Sequence, residues 1–157
     1  SRIEQFVEPL NAAMTEFEIN NVARETMFLA QLAHESGGFR YVQELASGEA
    51  YEGRQDLGNT EPGDGVRYKG RGLIQITGRA NYQAVGEALS HDFIGNPEEL
   101  EGPTFAARSA AWFWASRGLN ELADAGDFRR ITKKINGGYN GMADREKYLA
   151  KAQEVLA

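Results

Sequence analysis

Apolar residues recur three or four positions apart along most of the chain, the spacing that places side chains on one face of an α-helix. The first such run covers residues 3–17, and Pro9 is expected to kink or interrupt it. A second run starts after Asn20 or Asn21, either of which can cap a helix, and is expected to end at the glycines after Ser36. The first 36 residues therefore predict core-facing helices.

The pattern changes between residues 40 and 76. Turns rich in glycine, asparagine, aspartate and proline separate isolated aromatic residues there. Leu73 and Ile74, flanked by glycines and a glutamine, predict a short strand over residues 68–76 that meets a helix start at Thr77 and Gly78. We therefore expect an irregular, β-containing lobe at about residues 40–76.

Helical spacing returns after this lobe and continues to the end of the chain. Pro97 and Pro103 stand where prolines favour helix N-termini, and the segment after Pro103 is apolar most of the way round, which predicts the central buried helix. Asp127 can cap the next helix, and a last amphipathic helix is expected over about residues 142–155. The length of 157 residues and the lack of a linker predict a single domain over residues 1–157.

Composition narrows the classes of function. The longest apolar stretch is far shorter than the roughly 20 residues that cross a bilayer, so we expect no stable membrane insertion. The 17 Lys and Arg residues against 23 Asp and Glu give a net charge of −6, which opposes binding to nucleic-acid phosphates. The lack of cysteine excludes thiol catalysis, zinc–thiolate sites and disulfide bonds.

Few catalytic constellations fit the remaining residues. The chain has only two histidines, which makes a nucleophilic triad hard to build. His34 and Glu35 look like the start of a zinc-protease motif, but Gly38 stands where the second histidine is required. Lys69 is followed by Gly70 and not by serine or threonine, so no phosphate-binding loop is predicted. Carboxylates remain as the candidates for chemistry.

Glu35 is the first of these candidates. It lies at the end of an apolar helix, beside glycines and the aromatic Phe39. Burial and the negative end of the helix dipole both disfavour a charged carboxylate, which favours a general acid at this position. The alternative is an ordinary glutamate at a helix end, exposed to water.

A second carboxylate is required for glycoside hydrolysis. A chain reversal at the glycine pair after the helix can bring Glu44 back across a cleft from Glu35. Glu49 and Glu52 are rival second carboxylates, and the spacing does not decide between the three.

Four motifs in the same order resemble glycoside hydrolase family nineteen, and most closely its phage endolysin branch. They are AHESGGF at residues 33–39, YEGR at 51–54, GRGLIQITG at 70–78 and INGG at 135–138. The resemblance implies a lysozyme-like fold that is mainly α, with a helical body, a small β-containing lobe and a substrate cleft between them.

The resemblance also implies roles for individual residues. Glu35 matches the general acid of the family, and Glu44 matches the second carboxylate of the endolysins, which activates water. Thr77 stands where plant chitinases have a serine that helps to hold this water. The other positions that match residues of the family are two that bind the sugar, Gln75 and Asn81, the motif asparagine Asn136 and an arginine, Arg145.

Three departures separate the chain from the plant chitinases. The cysteines of the plant enzymes are missing, and the segment between the two matched carboxylates is short. Asn140 stands where several plant enzymes have a glutamate after the INGG motif, which argues against a plant-like chitin cleft.

Several other residues have both a structural and a functional interpretation. Trp112 and Trp114 are two apart on a helix and point to different sides, so at least one is expected in the core. His34 is expected to orient backbone or a nearby carboxylate. The tyrosines of the lobe that are candidates for stacking on sugars are Tyr41, Tyr51 and Tyr68. The local basic cluster that either meets an anionic glycan or solvates a hairpin is Arg67, Lys69, Arg71 and Arg79.

The favoured function is hydrolysis of the β-1,4 bond between N-acetylmuramic acid and N-acetylglucosamine in bacterial peptidoglycan, by an inverting monomer without a cofactor. The resemblance implies synthesis in the host cytoplasm and action on the wall in the periplasm. No signal peptide is visible, but the chain begins at Ser1 without methionine, so removal of a leader or a further domain stays open. The alternatives are a chitinase, a catalytically silent glycan-binding module and a structural domain.

Overall fold

The computed structural model describes residues 3–156, and this part of the chain is mainly α-helical. Its α-helices are α1 (Val7–Glu16), α2 (Val22–Glu35), α3 (Asp64–Arg67), α4 (Arg79–Leu89), α5 (Pro103–Ser116), α6 (Leu119–Asp124), α7 (Phe128–Asn136) and α8 (Met142–Leu156). Short 3-10 helices are found at Ile3–Phe6, Glu49–Tyr51, Gln55–Leu57 and Pro97–Glu101. The predicted mainly α class is confirmed. Within residues 3–156, no helix is both long enough and apolar enough to span a bilayer.

The helix ends follow the capping signals in the sequence. The side chain of Asn21 accepts a hydrogen bond from the Arg24 N–H at 2.8 Å, and Asp127 does the same for the Arg130 N–H at 3.1 Å. Pro9 does not break α1, because it lies in the first turn, where backbone N–H groups have no partner within the helix. The helical run instead changes type before Pro9, because the 3-10 helix ends at Phe6 and α1 begins at Val7.

Helix α5 lies in the core, as its apolar pattern predicts, and α1, α4 and α6 pack against it. Trp114 is fully buried; the ring of Phe28 meets its indole edge-on, and its N–H donates to Asn120 at 2.9 Å. Trp112 is only half-buried. The expectation that one of the two tryptophans belongs to the core is confirmed. Among α-helix pairs, α2 and α8 make the most extensive contact.

The lobe at residues 40–76 is irregular, as expected, but the predicted strand over residues 68–76 is wrong. Within residues 3–156 the extended pairing consists of isolated bridges, from Arg71 to Gln43 and to Ile76. The backbone turns at Gly72 (φ +87°) and again at Gln75 (φ +62°), which interrupts any extended conformation. Helices and turns therefore make up the lobe.

Side chains hold the backbone of the lobe where a sheet is missing. Glu52 accepts hydrogen bonds from the N–H groups of Gly63 at 3.0 Å and Gly65 at 2.9 Å. Asp64, only 1% exposed, accepts two hydrogen bonds from the Arg79 guanidinium at 2.8 and 2.9 Å. The shape of the lobe therefore depends on hydrogen bonds to charged side chains, of which Asp64 is buried.

This dependence predicts that acid loosens the lobe. Hydrogen bonding to Arg79 lowers the pKa of Asp64 below its ordinary value of 3.8. A lowered folded-state pKa gives stability that is present above the ordinary pKa and lost as pH falls through the folded value. We therefore expect amide hydrogen exchange in residues 40–76, corrected for the intrinsic rate, to be faster below about pH 4 than at pH 6.

Two variants test the assignment to this ion pair. Asp64→Asn should show fast exchange in the lobe at both pH values. Asp124→Asn, which breaks the ion pair of Arg24 between α2 and α6, should leave exchange in the lobe unchanged. Equal protection of the lobe in Asp64→Asn and the wild type would contradict the prediction.

Candidate active site

Glu35 is the last residue of α2, and its side chain meets α8. The side chain is 21% exposed, and its Oε1 accepts a hydrogen bond from Arg145 Nη2 at 2.8 Å. Its Oε2 has no hydrogen bond with any residue from 3 to 156. One oxygen of the carboxylate is thus fixed by the protein, and the other is available to a substrate.

Arg145 is itself held by a chain of buried polar groups. Its side chain is 1% exposed and donates to the Gln31 side-chain oxygen and to the Asn140 carbonyl. The amide nitrogen of Gln31 donates in turn to Thr132 Oγ1 at 2.9 Å. This polar chain links α2, α7 and α8, and it fixes the guanidinium that orients Glu35.

Two predicted residues contact this part of the site. Nδ1 of His34 lies 2.7 Å from a carboxylate oxygen of Asp144 on α8, so His34 contacts a carboxylate, as expected. The side chain of Asn136 is at the end of α7 and accepts a hydrogen bond from the Asn140 N–H at 3.2 Å. Asn136 therefore shapes the loop whose carbonyl group binds Arg145.

Glu44 lies in the lobe, and the lobe binds both of its carboxylate oxygens. Oε1 accepts the N–H of Gly70, and Oε2 accepts the hydroxyl group of Tyr51 at 3.1 Å. The backbone N–H of Glu44 also donates to the Gly70 carbonyl at 2.9 Å. Burial and the hydrogen bond to the Glu44 carboxylate raise the pKa of Tyr51 above its ordinary value. The phenol therefore keeps its proton and remains a donor to Glu44.

The rival carboxylates have different surroundings. Glu52 uses both oxygens to hold backbone N–H groups of the lobe, which gives it a structural role. Glu49 is exposed in a 3-10 helix. Of the three candidates, Glu44 is thus the one whose carboxylate is held by hydrogen bonds next to other predicted site residues.

Gln75, Thr77 and Asn81 come together at one pocket of about 120 Å³. The Thr77 hydroxyl donates to the Gln75 carbonyl at 3.0 Å, and the Asn81 amide donates to the Thr77 carbonyl at 2.8 Å. Thr77 does not cap α4, because Gly78 occupies the cap position without a side-chain bond. The other residues that line the pocket are Leu57, Ile76, Trp112, Phe113 and Arg117.

Gly70 connects Glu44 to this pocket. Its N–H binds the Glu44 carboxylate, and a methyl group on its Cα would lie 2.8 Å from Gln75 Oε1 and 3.2 Å from Thr77 Oγ1. Only a residue without a side chain leaves the space in which these three side chains approach one another. Glu44, Gln75 and Thr77 therefore surround a single glycine.

The three tyrosines of the lobe have different surroundings. Tyr68 is fully buried, and its hydroxyl donates to the Ile94 carbonyl at 2.9 Å, so it cannot stack on a sugar. Tyr41 is exposed, whereas the Tyr51 hydroxyl donates to Glu44.

The basic cluster is mainly structural, because its three arginines have protein partners. Arg67 binds the carbonyls of residues 94 and 95, Arg71 binds Glu101, and Arg79 binds Asp64.

Sequence reasoning missed three contributors to the site. Gln31 and Thr132 orient Arg145, and Arg117 lines the pocket. The sequence did contain a signal for Gln31, because Gln31 is a polar residue inside the apolar run of α2. Within residues 3–156, no three His, Asp or Glu side chains are grouped so that they could hold a metal ion.

Comparison with known proteins identifies the family to which this chain belongs. Residues 18–125 match the family model for glycoside hydrolase family 19, described as chitinase class I. A family 19 domain-containing protein from Haemophilus influenzae is 33% identical over 157 residues, with 80% of this chain and 76% of the relative covered. The chain belongs to glycoside hydrolase family 19.

Other relatives show how the chain compares in length. An endochitinase from Arabidopsis thaliana is 39% identical over 111 residues, but the match covers 70% of this chain and only 38% of the plant protein. The structure of chitinase C from Streptomyces griseus superimposes with a TM-score of 0.81 at 24% identity, over 96% of this chain and 69% of that one. A second bacterial family 19 chitinase gives 0.82 at 22% identity, over 96% and 86%. These structures share the mainly α, lysozyme-like fold.

Proposed function

We propose that this family 19 hydrolase cleaves the β-1,4 bond between N-acetylmuramic acid and N-acetylglucosamine in bacterial peptidoglycan, acting on the wall from the periplasm. The observation that carries the proposal is the pair of fixed carboxylates. Glu35 is held by Arg145 from the helical body with one oxygen unbound, and Glu44 is held by Gly70 and Tyr51 from the lobe. Such a pair supplies the acid and the base of glycoside hydrolysis. It also argues against a catalytically silent glycan-binding module.

The proposed mechanism is a single displacement. Oε2 of Glu35 donates a proton to the glycosidic oxygen as the bond from this oxygen to the sugar C1 breaks. Water attacks C1 from the opposite face and gives its proton to Glu44, while the Thr77 hydroxyl positions the water. Glu35 finishes the step ionised, beside the positive charge of Arg145. Gln75, Asn81 and Asn136 are the proposed sugar-binding residues.

The choice of peptidoglycan over chitin is supported by charge. Peptidoglycan carries carboxylates, whereas chitin is neutral. Asn140, which stands where several plant chitinases have a glutamate, keeps one negative charge away from the loop beside Glu35 and Arg145. Chitin is the second candidate, because several curated relatives are endochitinases.

The reducing ends of the products decide between these substrates. Purified peptidoglycan and colloidal chitin are each incubated with the wild-type enzyme, and new reducing ends are reduced with borohydride and identified. We expect peptidoglycan to clear and to yield muramitol. Cleavage of chitin alone would favour the second candidate, and release of N-acetylglucosaminitol from peptidoglycan would identify a different bond.

Substitutions of Thr77 test its role in positioning water. Thr77→Ser keeps the hydroxyl and should lower kcat less than threefold, whereas Thr77→Val should lower it roughly 10- to 100-fold, the cost of one lost hydrogen bond in a site. Because Thr77 does not cap α4, Thr77→Val should leave the melting temperature nearly unchanged. A lower melting temperature with normal turnover would assign Thr77 a purely structural role.

A further inference from the structure

Arg117 is a cation in the pocket, and no carboxylate of residues 3–156 forms an ion pair with it. It follows the end of α5 and lines the pocket together with Gln75, Thr77 and Asn81. The one hydrogen bond that its side chain makes within residues 3–156 is a long one of 3.4 Å to the hydroxyl of Ser116. The arginines that do pair with carboxylates are Arg24, Arg54, Arg71, Arg79, Arg108 and Arg145.

The surroundings of Arg117 hold its guanidinium group in place but leave most of its N–H donors without an acceptor from residues 3–156. The guanidinium carbon lies 3.6 Å from the centre of the Phe113 ring, so the group packs on the aromatic face. Burial lowers the pKa of Arg117, which reflects the cost of removing its charge from water. A stacked guanidinium keeps its edge donors, and these match a carboxylate in bidentate geometry.

We propose that Arg117 binds a carboxylate carried by the N-acetylmuramic acid residue of the substrate and thereby selects peptidoglycan over chitin. This inference rests on the proposed function. The carboxylate has two possible sources, the lactyl group of a muramic acid without a peptide and the stem peptide. In either case the anion lies beside the sugar that Gln75 and Asn81 bind. Chitin offers no such group to Arg117.

The first test uses the unaltered protein. Amidase-treated glycan strands carry free lactyl carboxylates, and carbodiimide with ammonia converts these to neutral amides of the same shape. We expect the wild-type KM to rise roughly tenfold or more on amidation, the effect of one lost charged hydrogen bond. For strands that keep stem peptides, the same comparison is made before and after amidation of the peptide. The rise identifies which carboxylate is bound, and no rise in either pair overturns the inference.

Variants then assign the effect to Arg117. Arg117→Met keeps the apolar contact with Phe113 and should raise KM roughly tenfold on the strands with carboxylates, with a clearly smaller rise on amidated strands and on chitin oligosaccharides. Arg117→Lys should restore part of the loss. Arg108→Met is the matched control, because Arg108 lies on α5 near Phe105 but pairs with Glu16, and its KM values should stay at the wild-type level.

The outcomes separate this inference from the proposed function. An equal rise in the KM of Arg117→Met on charged and neutral substrates would show that Arg117 does not bind the carboxylate. Peptidoglycan cleavage by the wild type would still support the proposed function. A wild-type enzyme that cuts chitin oligosaccharides but no peptidoglycan strand would overturn both.

Discussion

Glu35→Gln is expected to lose roughly 10²–10⁴-fold of glycan cleavage, the contribution of general acid catalysis, while the fold stays intact. The amide oxygen of glutamine can still accept the hydrogen bond from Arg145. The other position then carries an amide group, which has no proton to transfer to the glycosidic oxygen. Initial rates of reducing-end release on peptidoglycan measure the loss, and circular dichroism with thermal unfolding measures the fold.

Glu49→Gln is the matched control for this substitution. It makes the same chemical change at an exposed glutamate of the lobe and should keep activity within about twofold of the wild type. If Glu35→Gln retained more than about a tenth of the wild-type rate with an unchanged spectrum, the general acid would have to be another group.

Glu44→Gln is expected to lose most of its activity, again by roughly 10²–10⁴-fold, because the attacking water loses its base. The amide oxygen can still accept the Gly70 N–H, and the amide nitrogen can donate to the Tyr51 hydroxyl, so the lobe should keep its shape. Azide needs no base, and we expect it to restore part of the cleavage and to yield the α-glycosyl azide.

Stereochemistry gives the second measurement on this residue. Carboxyl groups about 6.5–9.5 Å apart leave room for water and invert the anomeric centre, whereas about 5–5.5 Å leads to a covalent intermediate and retention. In the proposed single displacement, proton NMR of the reducing end in early turnover should show the α-anomer first. A β-anomer would recast the second carboxylate as a nucleophile. Loss of activity in a Glu49 or Glu52 variant but not in Glu44→Gln would identify a different base.

The helices were predictable from sequence because their signals are local. Apolar spacing marks α2 and α5, and Asn21 and Asp127 cap helices with their own side chains. The strand at residues 68–76 failed for a related reason. Leu73 and Ile74 are adjacent and both buried, which fits a strand buried on both faces as well as a turn inside the protein. Apolar pattern alone does not separate these two structures.

The candidate site was predictable only in part, because its supporting contacts join distant segments. Resemblance to a family pointed to Glu35 and Glu44, but the contacts that fix them depend on packing. Gln31 and Thr132 meet across 101 positions of sequence. Likewise, the sequence placed Arg71 in a surface cluster, whereas it pairs with Glu101. This partner lies 30 residues away in the sequence and could not be predicted from local pattern. Arg117 carried no sequence signal at all, since its distinguishing property is a missing partner.

The buried contact of Arg145 has a consequence for how the chain assembles. If α8 slipped along α2 by one turn, about 5.4 Å, the guanidinium would lose Gln31 and Glu35 and remain charged inside the protein. Leaving such a charge unpaired costs roughly 3–5 kcal/mol, which selects one docking register for the two helices. Ribosomal synthesis delivers α8 after α2, so the nascent chain carries Glu35 without its arginine until α8 emerges. The Glu35 carboxylate thus acquires its fixed orientation only after α8 has docked against α2.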